Sequence, residues 1–217
     1  MEYKFDFRST AAFELKSYFG RLFWGRKPIL KKGKNYLNLG CGANIIDGYV
    51  NADFFYRIKF WKKDVLKLQW QLDLRYPLNC NNDVFDGIYS EHTLEHLYPS
   101  DAKNLLTELY RVMKKGALIR ITVPDLEKYI KYYVNNSDGI DVAKFNNKYE
   151  TKCSAIRNMT QNFLHLSTWD FEELKESLDE VGFRDIKKKT FNQSDDEMLK
   201  LDIEERSWET LYVEACK

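Results

Sequence analysis

The chain has 217 residues, 44% of them hydrophobic and 31% charged, with a formal net charge of +1 at pH 7. This composition is typical of a soluble globular protein, and its near-neutral charge argues against extended nucleic-acid binding. No apolar run approaches the roughly 18 residues that a membrane span needs, and the first residues show no secretory signal pattern.

The four cysteines lie far apart in the sequence and form no Cys-x-x-Cys pair. This spacing indicates neither a zinc finger nor a disulfide framework. We therefore expect a reduced, cytoplasmic protein.

The start of the chain is basic and aromatic, with nine Lys or Arg against three Asp or Glu in the first 34 residues. Ser9 or Thr10 can cap a helix that we predict to run from Ser9 to Trp24. Such a helix either packs its aromatic side on the domain or lies on an anionic membrane or partner. We predict an N-terminal basic aromatic helical segment over residues 1–34 and a single domain over residues 35–217. Peripheral membrane contact through residues 4–34 is the alternative to packing.

The domain begins with a short apolar run, Tyr36–Leu39, that leads into Gly40 and Gly42. Two glycines one residue apart let the backbone turn sharply and leave no Cβ to keep a ligand away. In open α/β sheets, such a turn lies at the crevice where nucleotide-like ligands bind. A second short strand ends at Asp53, where a carboxylate can accept hydrogen bonds from a ribose diol. Only residues 42–49 separate these strands, fewer than a parallel crossover normally needs, so we expect its helix to be shortened or lost.

Strands and helices alternate along the rest of the chain. The predicted elements are strands at 71–74 and 84–90, a helix from Ser100 to a stop at Gly116, a strand at 117–123, an irregular segment at 135–165, a helix at 170–181, and strands at 183–191 and 208–215. This alternation predicts a doubly wound α/β sheet, and the last two strands can pair as an antiparallel finish. An irregular segment as long as the one before residue 165 is typical of a lid or a substrate wall.

Three motifs follow one another in a recognisable order. They are Leu-Asn-Leu-Gly-Cys-Gly at 37–42, Val-Asn-Ala-Asp at 50–53 and Phe-Asp-Gly-Ile-Tyr-Ser-Glu-His-Thr-Leu-Glu-His at 85–96. With the helix that runs to Gly116 and the strand that ends at Asp125, this series resembles class I S-adenosylmethionine-dependent methyltransferases. It resembles more closely a small branch of predicted methyltransferases that is associated with bacterial surface-polysaccharide gene sets and shares the shortened first crossover.

The resemblance implies a Rossmann-like methyltransferase fold, with a doubly wound, mostly parallel sheet and an antiparallel C-terminal strand. It implies S-adenosylmethionine as the cofactor and methyl transfer to a small-molecule or saccharide acceptor, at a hydroxyl group. No amino-methylating motif of the Asn-Pro-Pro-Tyr type is present, so we expect no nucleic-acid partner. A methyltransferase-like protein that binds its ligand without catalysis is the alternative.

By position, the resemblance implies the cofactor-binding residues Gly40, Gly42, Asp53, Asp73, Leu74 and Glu91. The glycines would admit the amino-acid end of the cofactor, and the first aspartate would bind the ribose hydroxyls. The second aspartate and the leucine would border the adenine, and the glutamate would lie near the methionine part. Otherwise, Asp73 is a turn residue and Glu91 a carboxylate at a helix start. One departure from the wider family is Asn38, which stands where many of these enzymes have an acidic residue.

Methylation of a hydroxyl requires a base that takes its proton. His92 and His165 are the candidates for this catalytic role, because imidazole titrates near neutral pH. For either histidine, the alternative is a hydrogen-bonded residue of the core.

The sequence His-Thr-Leu-Glu-His at 92–96 also matches the inverted zinc-peptidase pattern, in which two histidines bind zinc. Glu172 or Glu173 would then supply a third ligand. The flanks of the motif fit the methyltransferase series better, so we expect no metal in the site and His96 in the wall of the pocket.

Overall fold

The structure is a computed structural model that describes residues 7–55 and 68–217. The first six residues of the predicted N-terminal segment therefore lie outside the described residues. The strands are β1 (Tyr36–Leu39), β2 (Val50–Asp53), β3 (Trp70–Gln71), β4 (Phe85–Glu91), β5 (Met113–Pro124), β6 (Arg184–Lys189) and β7 (Thr210–Cys216). The helices are α1 (Phe7–Phe23), α2 (Pro99–Val112), α3 (Leu126–Tyr133), α4 (Val142–Lys148), α5 (Lys152–Gln161) and α6 (Phe171–Val181). Short 3-10 helices span Leu94–His96, Glu197–Leu199 and Glu204–Arg206.

The seven strands form one sheet in the order β3-β2-β1-β4-β5-β7-β6. β1 lies between β2 and β4 and is parallel to both. β7 runs antiparallel to its two neighbours, β5 and β6. After β1 the chain adds β2 and then β3 on one side of that strand. β4 and all later strands lie on the other side of β1. This reversal creates a crevice at the carboxyl ends of β1 and β4. The predicted doubly wound, mostly parallel sheet with an antiparallel C-terminal strand is confirmed.

One face of the sheet carries the main hydrophobic core. Leu37, Leu39 and Ile119 project from this face and are fully buried. α2 and α6 cover them with apolar side chains that include Leu106 and Leu178. Burial under helices explains why the central parallel strands are short and apolar on this side.

The opposite face is more polar and is closed by the segment between β6 and β7. Tyr36, Tyr49 and Tyr89 project from the sheet on this side and pack around Leu199 of that segment. The Tyr36 hydroxyl donates a hydrogen bond to Asp196 at 2.8 Å. Strand residues alternate between the two faces, so these tyrosines point away from the leucines of the main core.

Arg120 of β5 is fully buried on this polar face. Its guanidinium donates to Asp202 at 2.9 Å and to Glu214 at 3.1 Å. It also donates to the backbone carbonyls of Thr190 and Gln193. Because a buried charge is costly without partners, this network fixes the segment between β6 and β7 against the sheet.

The connection between β1 and β2 contains no helix within residues 40–49, as its length predicts. The side chains of two buried asparagines form hydrogen bonds to backbone groups that would be paired within a helix. The Asn38 side chain donates to the Asn44 carbonyl at 2.8 Å and to Asn51 Oδ1 at 2.9 Å. The Asn51 amide in turn donates to the Ile46 carbonyl at 2.9 Å. The amide at Asn38 therefore has a structural function, because it can donate where a carboxylate could only accept.

The boundary between α2 and β5 differs from the prediction, which placed the end of the helix at Gly116. β5 begins at Met113, which is fully buried and pairs with Phe85 of β4. Gly116 therefore lies inside the strand, with φ +78°. Burial of the methionine and pairing in the sheet outweigh the helix-stop signal of the Lys-Lys-Gly sequence.

The prediction of an irregular segment at 135–165 is wrong. It contains α4, capped by Asp141, and α5, which begins with a capping box at Thr151. Aromatic residues of α3 and α4 form a second core at the carboxyl ends of the strands, where Tyr129 packs edge-on against Phe145 with ring centroids 5.0 Å apart. Caps and aromatic packing thus hold together helices that are too short to be stable alone.

α1 lies across the carboxyl ends of β2 and β3. A Cβ at Gly20 would lie 2.2 Å from the Phe55 ring, so the helix approaches this ring closely. The Ser17 hydroxyl donates to Asp73 at 2.6 Å, just beyond β3. The outer side of α1 leaves large apolar side chains exposed: Leu15, Tyr18, Phe19, Leu22 and Phe23. Among the described residues, no helix has the length and hydrophobicity needed to cross a membrane.

Candidate active site

The glycine turn folds back onto the end of β2. Gly40 and Gly42 both adopt left-handed backbone conformations, with φ +64° and +52°. The Gly42 N–H donates to Asp53 Oδ2 at 2.5 Å, and the Cys41 N–H donates to the Ala52 carbonyl at 3.1 Å. The turn and the predicted ribose carboxylate are therefore adjacent.

The two glycines face different surroundings. A Cβ at Gly40 would lie 2.2 Å from Thr93 Oγ1, so the missing side chain makes room for the residue after His92. A Cβ at Gly42 would meet no atom of the described residues within 4 Å. The turn therefore leaves space beside Gly42, whereas glycine at Gly40 serves close packing.

The surroundings of Asp53 fit a ribose. Its Oδ1 accepts from the Phe54 N–H at 2.6 Å, and its Oδ2 accepts from the Gly42 N–H. A carboxylate has about four lone-pair positions, so these two bonds within the described residues leave about two for a pair of hydroxyls. With the open space at Gly42, these residues fit the nucleoside and amino-acid ends of S-adenosylmethionine.

Asp73 is buried and engaged by protein groups. It forms an ion pair with Arg75 at 2.7 Å and accepts from Ser17 of α1. Burial opposes its ionisation, but hydrogen bonds from Arg75 and Ser17 outweigh burial and lower the pKa of Asp73. Leu74 beside it packs on the main core. The end of β3 thus anchors α1 above the predicted adenine side of the site.

Glu91 lies at the end of β4 on the polar face of the sheet. Its Oε1 accepts from the Ile203 N–H at 3.2 Å, and burial raises its pKa. The next residue, His92, turns in the other direction, with φ +45°. Glu91 therefore contacts the segment that closes the polar face, and His92 points towards a separate cluster.

The three histidines of the chain surround one buried carboxylate, that of Glu95, in the 3-10 turn after β4. His92 Nδ1 lies 3.3 Å and His165 Nε2 lies 4.0 Å from Glu95 Oε1. The His96 and His165 rings pack edge-on with centroids 4.9 Å apart. Glu95 is 1% exposed, and neither of its carboxylate oxygens has a hydrogen-bond partner in the described part of the chain.

Glu95 was not among the predicted site residues. Burial opposes its ionisation, but the nearby His92 and His96 outweigh burial and hold the pKa of Glu95 below its usual value. The only sequence signal for it was its place in the His-x-x-Glu-His pattern. His165 lies about seventy residues later, so sequence spacing could not show that the two meet.

The hydrogen bonds of His165 fix its tautomer. Its Nδ1 lies 2.6 Å from the Met159 carbonyl, which can only accept, so Nδ1 carries the hydrogen. Nε2 is then the unprotonated nitrogen of the neutral ring. Burial lowers the pKa of His165, which favours this neutral form.

Both ring nitrogens of His92 are engaged. Its Nε2 lies 2.9 Å from Thr210 Oγ1, and the Thr210 hydroxyl already donates to the Arg206 carbonyl at 2.7 Å. His92 Nε2 is therefore the donor in this pair, and its Nδ1 lies 3.3 Å from Glu95 Oε1. Of the two predicted bases, His165 has the nitrogen that is free to accept a proton.

The zinc-peptidase arrangement is not assembled in the described residues. His92 and His96 lie at either end of a tight turn instead of one helical face. Glu172 and Glu173 lie in the first turn of α6, and Glu173 lines a separate cleft together with Pro99. The pattern at 92–96 therefore does not bring its expected third ligand to the two histidines.

A cavity of about 1040 Å³ opens beside this histidine cluster. Its wall includes His92, His96 and His165 on one side and the aromatic core of α3 and α4 on the other. Ser9 of α1 also lines it, so α1 extends from this cavity to its anchor at Asp73. The cavity and the glycine turn are neighbours. His92 lines the cavity, and the following residue, Thr93, packs against Gly40.

Comparison with known protein families identifies the central part of the sheet. Residues 37–121 match the family model described as "Methyltransferase domain". This stretch runs from β1 into β5 and contains the predicted cofactor-binding residues Gly40, Gly42, Asp53, Asp73, Leu74 and Glu91. A comparison with curated proteins gives no match.

Solved structures with a similar fold include S-adenosylmethionine-dependent methyltransferases. One from Archaeoglobus fulgidus is 20% identical with a TM-score of 0.51, and the match covers 98% of this chain and 100% of that one. Another, from Thermotoga maritima and described as a possible histamine N-methyltransferase, is 15% identical with a TM-score of 0.51, covering 97% and 94%. At these identities the likeness concerns the fold, and the family match concerns residues 37–121. Residues 37–121 therefore match a methyltransferase domain, and the chain has the fold of S-adenosylmethionine-dependent methyltransferases.

Proposed function

We propose that the protein transfers the methyl group of S-adenosylmethionine to a hydroxyl of a saccharide or another small molecule. The observation that carries this proposal is the cavity beside the glycine turn, whose wall holds the unprotonated Nε2 of His165. A neutral imidazole at this place can accept the proton that a hydroxyl loses when it attacks a methyl group.

The walls of the cavity suit a sugar-sized acceptor. A volume of about 1040 Å³ is slightly above the range of small-molecule sites, roughly 300–1,000 Å³, and has room for an oligosaccharide. Tyr149 and Trp208 offer aromatic surface, and Asn147 and Asn158 offer amide donors and acceptors. The sequence resemblance to a branch associated with bacterial surface-polysaccharide gene sets supports the same class of acceptor.

The cofactor is assigned to the crevice at the ends of β1, β2 and β4. The proposed contacts are those of Gly40, Gly42, Asp53, Asp73, Leu74 and Glu91. The open space at Gly42 and the remaining lone pairs of Asp53 support the first part of this assignment. Asp73 and Leu74 are assigned to the adenine side, where α1 covers the end of β3.

S-adenosylmethionine would supply the methyl group: the acceptor oxygen would bond to its carbon as the carbon–sulfur bond breaks and S-adenosylhomocysteine leaves. The protein aligns the acceptor and keeps water away, which is where most of the acceleration arises. His165 Nε2 takes the hydroxyl proton, while the Met159 carbonyl holds the opposite nitrogen and fixes the ring. His92, the second proposed catalytic residue, donates to Thr210 and positions Glu95 beside His165.

The experiment that tests this function is an assay of S-adenosylhomocysteine formation with mono- and oligosaccharides, phenols and amines as acceptors. We expect product only with hydroxyl-bearing acceptors, each gaining one methyl group on oxygen by mass spectrometry and NMR. Methylation of the amines alone would refute the acceptor class. Binding of the cofactor without turnover of any acceptor would favour a non-catalytic methyltransferase-like protein.

A second part of the proposal places α1 on an anionic membrane surface. Its outer side exposes Leu15, Tyr18 and Leu22, each more than half exposed, at helical spacing. The first 34 residues carry nine basic and three acidic side chains. An apolar helical face with surrounding positive charge is the composition that binds anionic lipid surfaces.

Sedimentation with lipid vesicles tests the membrane contact. The protein should bind vesicles that contain phosphatidylglycerol and not those of phosphatidylcholine alone, and Leu22→Glu should abolish binding. Met198→Glu changes an exposed apolar residue on the polar face of the sheet and serves as the matched control. Equal losses in both variants, or no binding at all, would leave α1 as a covering helix only.

The division into a helical segment at 1–34 and a domain at 35–217 belongs to the same proposal. So does the cytoplasmic location, which the four free cysteines support.

A further inference from the structure

The cluster around Glu95 is built from two distant parts of the chain. The Glu95 carbonyl accepts from the Leu166 N–H at 2.7 Å and from the Ser167 N–H at 3.2 Å. These backbone bonds fasten the segment that carries His165 onto the turn that carries His96. The arrangement of the side chains is therefore fixed by the fold and does not depend on the side chains alone.

The cluster brings the Glu95 carboxylate and the His165 Nε2 lone pair close together. Both Glu95 oxygens are buried without a hydrogen-bond partner among the described residues. His165 Nε2 faces them at 4.0 Å with a lone pair, because its hydrogen is on Nδ1. A buried carboxylate without a partner is costly. A cation between these groups would satisfy both.

We infer that Glu95, His96 and His165 form a site for a divalent transition-metal ion such as Zn²⁺, at the wall of the acceptor cavity. One ligand atom from each residue lies within 4.8 Å of the other two. Ligand bonds to zinc are about 2.0–2.2 Å, so ligand atoms on one ion lie at most about 4.4 Å apart. A rotation of the exposed His96 ring closes the remaining gap.

The chemistry of the donors selects the kind of ion. Two imidazoles and one carboxylate bind zinc in hydrolytic enzymes and other first-row divalent ions in open sites. Ca²⁺ and Mg²⁺ prefer oxygen ligands only, and this set has two nitrogens. His92 is not part of the ligand set, since it donates to Thr210 and faces Glu95 from the other side.

Three protein ligands leave coordination positions open towards the cavity, since His96 is exposed there. An acceptor hydroxyl that reaches the ion would lose its proton more readily, because a divalent ion lowers the pKa of a bound oxygen. With the ion bound to its Nε2, His165 could not accept the hydroxyl proton. The ion would then activate the hydroxyl in its place. This use of the ion rests on the proposed methyl transfer, but its binding does not.

The test is metal titration of the full chain after chelator treatment, without cofactor or acceptor. Calorimetry with Zn²⁺ should show one ion per chain, and Co²⁺ should give a visible spectrum typical of nitrogen and oxygen ligands. Loss of a group that only hydrogen-bonds to a metal-binding residue weakens metal binding about 10–100-fold. Because Glu95 and His165 would bind the ion directly, Glu95→Gln and His165→Gln should each weaken binding at least about 100-fold. Glu205→Gln, a carboxylate on the same cavity wall outside the ligand group, should bind as the wild type does.

Thermal unfolding of each variant shows whether it is folded. If Glu95→Gln does not fold, His96→Gln decides, because its side chain lies at the cavity surface. Unchanged affinity in folded Glu95→Gln and His165→Gln, or no binding by the wild type, would overturn the inference. A thiolate-to-cobalt band would also overturn it, since the four free cysteines would then be the ligands. Failure of methyl transfer with normal metal binding would refute the proposed function alone.

Discussion

Replacing the two glycines of the turn separately by alanine tests whether they serve packing and ligand approach, respectively. Both have positive φ, which costs a residue with a Cβ about 1–2 kcal/mol. At Gly40 the new Cβ would also lie 2.2 Å from Thr93 Oγ1 and 2.6 Å from its Cγ2. Such overpacking typically costs a further 1–3 kcal/mol or so. We therefore expect Gly40→Ala to lose about 2–5 kcal/mol of unfolding free energy and Gly42→Ala about 1–2 kcal/mol.

Denaturant unfolding and calorimetry with S-adenosylhomocysteine separate the two effects. Gly42→Ala should stay folded but bind at least about tenfold more weakly, equivalent to about 1.4 kcal/mol, because its methyl group enters the open space of the turn. Thr93→Ala removes the two nearest atoms at Gly40, so it should restore part of the stability lost in Gly40→Ala. A double-mutant cycle measures that coupling.

Two results would refute this reasoning. Normal binding by Gly42→Ala would mean that the cofactor does not approach the turn there. Strict additivity of Gly40→Ala and Thr93→Ala would mean that backbone strain, and not contact with the threonine, sets the cost at Gly40.

Three further predictions concern single side chains. Asp53→Ala should lower the affinity for S-adenosylhomocysteine by roughly 1.5–3 kcal/mol, as for a hydrogen bond to a charged group, and unchanged affinity by calorimetry would place the ribose elsewhere. His165→Ala should lower turnover about 10²–10⁴-fold while cofactor affinity is kept, and His92→Ala should lose less, because His92 Nε2 is already engaged. Asp73→Asn should cost roughly 1.5–3 kcal/mol of stability near neutral pH. The folded-state pKa of Asp73 is lowered, so its contribution is present above the unfolded value, near 3.8, and disappears as the pH falls through the lower folded value. Denaturation of both proteins between neutral and strongly acidic pH should therefore show their difference vanish at the acid end.

That Gly42 and Asp53 lie side by side could be predicted because the signals are local. Gly42 and Asp53 each follow a short strand, and parallel strands deliver their carboxyl ends to the same edge. The shortened crossover followed from counting residues between the strands. That Asn38 and Asn51 would replace the missing helix could not be predicted, because it depends on contacts across two strands.

The walls of the large cavity could not be predicted because they depend on tertiary packing. α4 and α5 are short, and the aromatic cluster around Phe145 that stabilises them forms only in the folded chain. Glu95 could not be singled out from the sequence, because its proximity to His165 arises only in the folded chain. The end of α2 was misplaced for a similar reason, since the pairing of Met113 with Phe85 is absent from the local sequence.

The closure of the polar face by the segment between β6 and β7 has a consequence for the order of folding. The strands that carry the glycine turn come from the first half of the chain, but Leu199, Asp196 and Asp202 cover them from near its end. During synthesis, Tyr36 and Arg120 stay without these partners until residues 196–202 emerge, and contacts so distant in sequence form slowly. A chain that ends before residue 196 should therefore expose this face and aggregate, even though it contains every residue proposed to bind the cofactor.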